Sequence, residues 1–153
     1  MQRLKTATAV LALAAAPALA QEDYEPGEPR WSFAIHGGAG TIERANMTPE
    51  QEAEYRAALD AALEAGSAIL RDGGSAMDAV TAAITLMEDD PKFNAGRGAV
   101  FTWDGTIEHD AALMDGRDRS AGAVTGIGTV RHPILLAQEL ATVHIAAVDA
   151  AAT

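Results

Sequence analysis

The order of elements along this chain predicts an α+β fold, with helices on one face of a largely antiparallel sheet. Two observations carry that prediction. Two helical patterns follow one another directly, and the strand-like runs after them are linked by tight turn signals. A third supports it: strand and helix do not alternate, so the mark of a parallel sheet is missing.

Trp31 to Ile35 is a short apolar run that reads as a strand, followed at once by His36-Gly37-Gly38-Ala39-Gly40. The first helix opens at Thr48-Pro49-Glu50-Gln51, with a hydroxyl at the cap, proline at the first helical position and glutamine three residues after the cap. Tyr55, Leu59, Leu63, Ile69 and Leu70 give it an apolar stripe. Gly73-Gly74 ends it, because glycine accepts the left-handed conformation of a helix stop. Ser75 and Asp78 form a capping pair for a second helix, with Met77, Val80, Ile84 and Met87 on one face. Pro91 lies just past its acidic end.

The block from Asp89 to Gly116 is the most informative part of the chain. Phe93-Asn94-Ala95-Gly96-Arg97-Gly98 is a glycine-studded loop, and loops of that kind usually carry function. Ala99 to Met114 reads as two short strands around Asp104-Gly105, a hairpin signal. A third strand is expected over Ala121 to Ile127. His132-Pro133 opens a last helix through Ile134, Leu135 and Leu140, and His144 to Val148 is a further strand candidate.

With 153 residues, the chain is long enough for one modest domain. Residues 1–20 read as a secretory signal: Arg3 and Lys5 come first, Ala7 to Ala16 is an apolar run too short to span a bilayer, and Ala18-Leu19-Ala20 is a cleavage site. Residues 21–30, with Pro26 and Pro29, read as a flexible leader. Removing the signal takes away two of the 11 basic residues and none of the 22 acidic ones, so the mature chain is more acidic than the net charge of −11. Such a chain repels nucleic acid and anionic lipid, so neither is an expected partner. The absence of cysteine excludes disulfides, a thiol nucleophile and zinc-thiolate sites. A cleavable signal without cysteine points to a periplasmic or secreted bacterial protein, and no membrane span follows Ala20.

The residues that could carry chemistry remain open to plainer readings. The glycines after His36 let the backbone turn sharply or approach a ligand closely, and both uses fit. The loop from Met87 to Gly98 could curl its carbonyls around a hard cation, with Asn94 offering a donor and an acceptor to a reactive neighbour. It could equally be a helix-to-strand connection. Glu108 and Asp110 share one strand face, but with no apolar pocket to raise either pKa a solvated face is the better reading. The four histidines, His36, His109, His132 and His144, have no metal-ligand spacing.

Taken together, the segments resemble the plant-type L-asparaginase and isoaspartyl (β-aspartyl) peptidase family of N-terminal-nucleophile hydrolases. The likeness rests on Phe33-Ala34-Ile35-His36-Gly37-Gly38-Ala39-Gly40-Thr41-Ile42, on Gly74-Ser75-Ala76-Met77-Asp78-Ala79-Val80 and on Phe93-Asn94-Ala95-Gly96-Arg97-Gly98-Ala99-Val100-Phe101. Leu113-Met114-Asp115-Gly116 and Arg131-His132-Pro133-Ile134 extend it in the same order, over Trp31 to Leu140. The resemblance implies a four-layer αββα sandwich, of which residues 31–153 would be the N-terminal, α-subunit half. It implies a precursor that cuts itself before a threonine, whose hydroxyl is then the nucleophile and whose α-amino group is the base. Implied substrates are L-asparagine and β-aspartyl dipeptides. No cofactor takes part in the chemistry, and the implied partner is a β-subunit portion within an (αβ)2 assembly. In the resemblance, a structural sodium ion is held by the main-chain carbonyls of Met87, Glu88, Asp90, Phe93, Ala95 and Arg97. Asn94 would lie against the nucleophile, and Gly37 and Gly38 beside the active site.

The chain departs from the family pattern at the nucleophile. No Gly-Thr-Val-Gly segment is present. Gly128-Thr129-Val130 runs into Arg131, and Ala141-Thr142-Val143 is the other lookalike, which makes Thr142 a candidate. His144 to Val148 fits the strand after the last helix better, and that places the nucleophile beyond Thr153. The remainder of each sheet would come from the β portion, so this chain on its own would expose sheet edge and core. A catalytically inactive remnant or binding module that keeps the α-half fold is the second expectation.

Overall fold

A computed structural model describes residues 31–38 and 46–143. The signal, the leader, Ala39 and Gly40 of the glycine turn, and the strand candidate at 144–148 lie outside the described residues.

Helix α1 spans Pro49–Arg71 and starts as its sequence dictates. The Thr48 hydroxyl accepts from the Gln51 amide at 3.2 Å, and the Gln51 side chain accepts from the Thr48 amide at 2.9 Å. Two orphan donors of the helix start are thereby satisfied. At the other end Gly73 has φ +80, and the amides of Gly73 and Gly74 return to the carbonyls of Leu70 and Ile69. Helix α2, Ala76–Asp89, is capped by the Ser75 hydroxyl, which accepts from the Asp78 amide at 3.1 Å.

The two helices meet through small residues. Ala62, Gly66 and Ser67 are buried on α1, and Ala79 and Ala83 on α2. A Cβ on Gly66 would lie 2.3 Å from the Phe33 ring and 2.9 Å from the Ala79 carbonyl, so Gly66 admits both. This corrects the expected stripe on α1. Of its members only Leu70 is buried, because close approach of helix backbones selects alanine and glycine over leucine.

Strands β1, His109–Met114, and β2, Ala121–Ile127, pair antiparallel with Leu113 opposite Gly122 and Met114 opposite Ala121. An irregularity between His109 and Ala111 breaks the register. Helix α3, Pro133–Thr142, returns across both strands and also touches α2. Met77, Leu113, Ile134, Ala137 and Ala141 close the core between α2, α3 and the sheet, with Val80, Ile84 and Ala111 packed on its margin. Helices thus lie against a small antiparallel sheet, and the architecture is α+β.

Two expected strands are absent. The turn at Asp104-Gly105 forms, with Gly105 at φ +76 and the Thr102 amide donating to the Thr106 carbonyl at 2.7 Å. Its arms do not pair with each other: the second runs on into β1, which pairs with β2 instead, and Val100, Phe101 and Trp103 of the first are exposed. Residues 31–35 make none either, although Phe33 settles on Gly66. A strand needs a neighbour to satisfy its backbone, and neither segment has one among the described residues.

The β1–β2 connection is pinned by Asp115. Its carboxylate accepts from the Arg117 amide at 2.9 Å and from Arg117 Nε at 3.0 Å. The Arg117 side-chain hydrogen bonds, then its amide, hold the Asp115 carboxyl down at about 2. A depressed carboxylate contributes stability that is fully present above its unfolded value of about 3.9 and is lost as pH falls through the folded one. A carbon-detected NMR titration of Asp115 is therefore expected to show a midpoint near 2; a midpoint near 4 would mean that the pair does not form.

Candidate functional site

The end of α2 leads straight into the glycine loop. Asp90 leaves the helix in an extended conformation, and its carboxylate accepts from the Lys92 amide at 3.0 Å and pairs with Lys92 Nζ at 2.9 Å. That local turn directs Phe93 inward. Phe93 is 3% exposed and meets Tyr55 of α1 edge-on, with ring centroids 6.4 Å apart. The Phe93 ring also approaches Gly37, where a Cβ would lie 3.4 Å from it and 2.9 Å from Leu59. One buried ring therefore ties the loop, α1 and the His-Gly-Gly turn together. Gly37, Gly38, Met47, Tyr55, Leu59 and Phe93 line a cavity of ≈ 280 Å³ there, along with the Glu52–Arg56 pair.

The turn itself is fixed by its histidine. The Gly38 amide donates to His36 Nδ1 at 3.1 Å. Nδ1 is therefore the unprotonated nitrogen, and Nε2 is left as the donor. Gly38 sits at φ +111, a conformation that other residues rarely adopt. Asn94 is exposed at the mouth of the loop, and its Oδ1 accepts from the Val100 amide at 3.0 Å. With the oxygen committed to the backbone, the side-chain NH2 is the group Asn94 can offer a neighbour.

Beyond Phe93 the loop closes into a single 3₁₀ turn, Gly96–Gly98. A Cβ on Gly96 would lie 2.4 Å from the Glu88 carbonyl oxygen, and one on Gly98 would lie 2.1 Å from that of Phe93 and 2.7 Å from that of Pro91. The missing side chains leave room for carbonyls to converge. Those of Met87, Asp90, Phe93 and Ala95 each accept one amide, from Asp90, Phe93, Ala95 and Gly98 respectively. A carbonyl oxygen has two lone pairs, so one bonded amide does not exhaust it. An all-oxygen, main-chain donor set is of the kind that suits a hard cation. Among the described residues no group of three or more His, Cys, Asp or Glu side chains could hold a metal.

Sequence reasoning treated Glu88 only as a main-chain donor and missed its side chain. Glu88 is 3% exposed. Its Oε1 accepts from the Ile134 amide at 3.0 Å, and Oε2 lies 3.3 Å from His132 Nδ1. Burial pushes its carboxyl above the usual range, opposed by the Ile134 amide and by His132. Beside it, hydrogen bonds from Arg131 hold Asp89 below the usual range. A signal was there to read. Met77, Thr81, Ile84 and Glu88 fall at helical spacing on one stripe, which puts the acid at the buried end of α2.

The remaining candidates lie apart from the cavity. Glu108 and Asp110 are exposed. Asp110 accepts from Thr125 Oγ1 at 2.6 Å and from the Gly126 amide at 3.0 Å, bonds that hold its carboxyl down and brace β1 against β2. Thr142 occupies the last turn of α3, and its hydroxyl donates to the Glu139 carbonyl at 2.8 Å. His109 opens β1, and His144 lies outside the described residues.

An α+β scaffold that gathers Gly37 and Gly38 of a His-Gly-Gly turn and Phe93 of a glycine loop at one cavity narrows the class, and comparison with known proteins names it. Residues 29–153 match the sequence model of the asparaginase family, and the chain belongs to that family. Among its relatives, the isoaspartyl peptidase of Salmonella typhimurium is 55% identical over 106 residues, 69% of this chain and 34% of the relative. The isoaspartyl peptidase of Escherichia coli is 53% identical over 106 residues, 69% and 33% of the two. The isoaspartyl peptidase/L-asparaginase of Rattus norvegicus is 40% identical over 130 residues, 81% and 38%. The chain spans about a third of the length of these curated relatives.

Proposed function

We propose that this chain supplies the N-terminal, α portion of an amidohydrolase that cleaves L-asparagine or β-aspartyl dipeptides. The observation that carries the reading is the convergence of Gly37, Gly38 and Phe93 at one cavity wall. In the complete fold, a four-layer αββα sandwich, a threonine beyond Thr153 becomes an N-terminus. Its hydroxyl attacks the side-chain amide or isopeptide carbonyl, and its own α-amino group takes the proton. Ammonia or the amine leaves, and water releases aspartate from the acyl-enzyme. Asn94 holds the threonine through its NH2, the glycine turn lets the backbone approach it, and the carbonyl loop carries a structural sodium ion. The protein is exported through its first 20 residues and works as an (αβ)2 assembly.

The test is to produce the chain in the periplasm, alone and together with the threonine-bearing portion of a close relative. Ammonia from L-asparagine and leucine from β-aspartyl-leucine are the readouts, and the N-terminal sequence reads the cut after Ala20. The chain alone is expected to be inactive and the pair active. Turnover by the chain alone that is lost in Thr142→Ala would place the nucleophile here and overturn the reading.

A further inference from the structure

Helix α3, like α1, begins with proline at its first position, but it lacks the side-chain caps that start α1 and α2. His132 at its N-cap makes no side-chain cap bond, and no acidic residue sits in its first turn. Its Ile134 amide is nonetheless met, because Glu88 reaches across from α2 and accepts from it at 3.0 Å. A carboxylate at a helix N-terminus also answers the positive end of the helix dipole. The cap is therefore supplied by a residue 46 positions earlier in the chain.

The same residue builds the glycine loop. Its carbonyl oxygen is the atom that a Cβ on Gly96 would strike at 2.4 Å, and its own Cβ lies 2.8 Å from that position. Neither half of Glu88 can shift freely. The carboxylate is enclosed, with Oε2 and His132 Nδ1 buried and 3.3 Å apart, and Gly96 approaches the Glu88 backbone so closely that an added Cβ would have no room. One buried residue thus touches the loop with its backbone and the start of α3 with its side chain.

We infer that Glu88 is a positioning residue whose carboxylate makes the carbonyl loop and the first turn of α3 one mechanical unit, so that a cation in the loop tightens α3. The inference rests on the reading of that loop as a sodium site. Coupling of this kind is reciprocal: what the ion gives to α3, the docking of α3 gives to the ion.

The experiment is amide hydrogen exchange on the full chain, in sodium chloride and in choline chloride at matched ionic strength. It compares the wild type with Glu88→Met, which fills the same space without an acceptor or a buried charge, and Glu88→Gln, which keeps the acceptor. In the wild type, sodium is expected to slow exchange both in the loop at residues 93–98 and at Ile134. Glu88→Met is expected to keep the loop response but lose the Ile134 response, with Ile134 exchanging about tenfold faster, the ratio that losing a hydrogen bond to a charged acceptor implies. Glu88→Gln is expected to restore the Ile134 response. A wild-type loop that ignores sodium, or exchanges without protection, overturns the ion reading and the inference together. A loop that responds while Ile134 does not, or a Glu88→Met variant whose Ile134 still responds, overturns the inference alone.

Discussion

Gly98→Ala is expected to unmake the glycine loop, at a cost of about 3 kcal/mol or more, the upper range for forcing extra atoms into a packed site. The added Cβ would lie 2.1 Å from the Phe93 carbonyl oxygen and 2.7 Å from that of Pro91. Both obstacles are backbone, so no side chain can swing aside. Relief requires the loop to open, and opening moves Phe93 out from between Tyr55, Leu59 and Gly37. The damage then reaches the His-Gly-Gly turn. Gly105→Ala is the control. Gly105 has φ +76 but nothing within 4 Å, so that variant should cost only the conformational penalty, about 1 kcal/mol. Chemical denaturation of both variants checks the difference. Exchange in the loop should become insensitive to sodium in Gly98→Ala and stay sensitive in Gly105→Ala. Equal stability of the two would mean that the carbonyls do not converge.

What was legible in the sequence follows from how local each signal is. The starts and stops of α1 and α2 could be read because Thr48, Gln51, Ser75, Asp78 and Gly73 act within a few residues of themselves. The turn at Asp104-Gly105 was legible for the same reason. Of its flanking strands only the second formed, as β1, since a ladder depends on a partner and the turn chemistry does not. The helix contact was misread on α1, because apolar periodicity points to large residues and cannot anticipate that Gly66 must accept Phe33 and the Ala79 carbonyl together.

The site divides along the same line. Gly37, Gly38 and the loop at 93–98 announce themselves by composition, and the structure brings the turn and Phe93 together. Glu88 did not announce itself as a cap, because its partner amide lies 46 residues away. His132 was read as the opening of a helix, which it is. That it sits 3.3 Å from a buried carboxylate could be learned only from the packing of α3 on α2. The exposed Val100, Phe101 and Trp103 belong to the same lesson. Their apolar pattern is that of a strand with a buried face, and the face that would bury them is not among the described residues.

Gly122→Ala tests whether α3 is seated on the sheet as tightly as the core demands. A Cβ there would lie 2.0 Å from the Ala137 carbonyl and 2.5 Å from the Ala141 amide, both in the helix backbone. Gly122 pairs with Leu113, so the strand cannot retreat without disturbing a buried member of the core. The helix must lift instead, and lifting exposes Ile134, which is 1% accessible, together with Ala137 and Ala141. The expected loss is about 3 kcal/mol, combining overpacking with partial exposure of a buried isoleucine. Gly116→Ala is the contrast: nothing lies within 4 Å of that position, and the change should stay within about 0.5 kcal/mol. Because α3 also receives the Glu88 carboxylate, Gly122→Ala should speed exchange at Ile134 as well. A Gly122→Ala variant as stable as Gly116→Ala would show that β2 and α3 can separate without penalty. The core around Ile134 would then have to be closed by something other than this sheet.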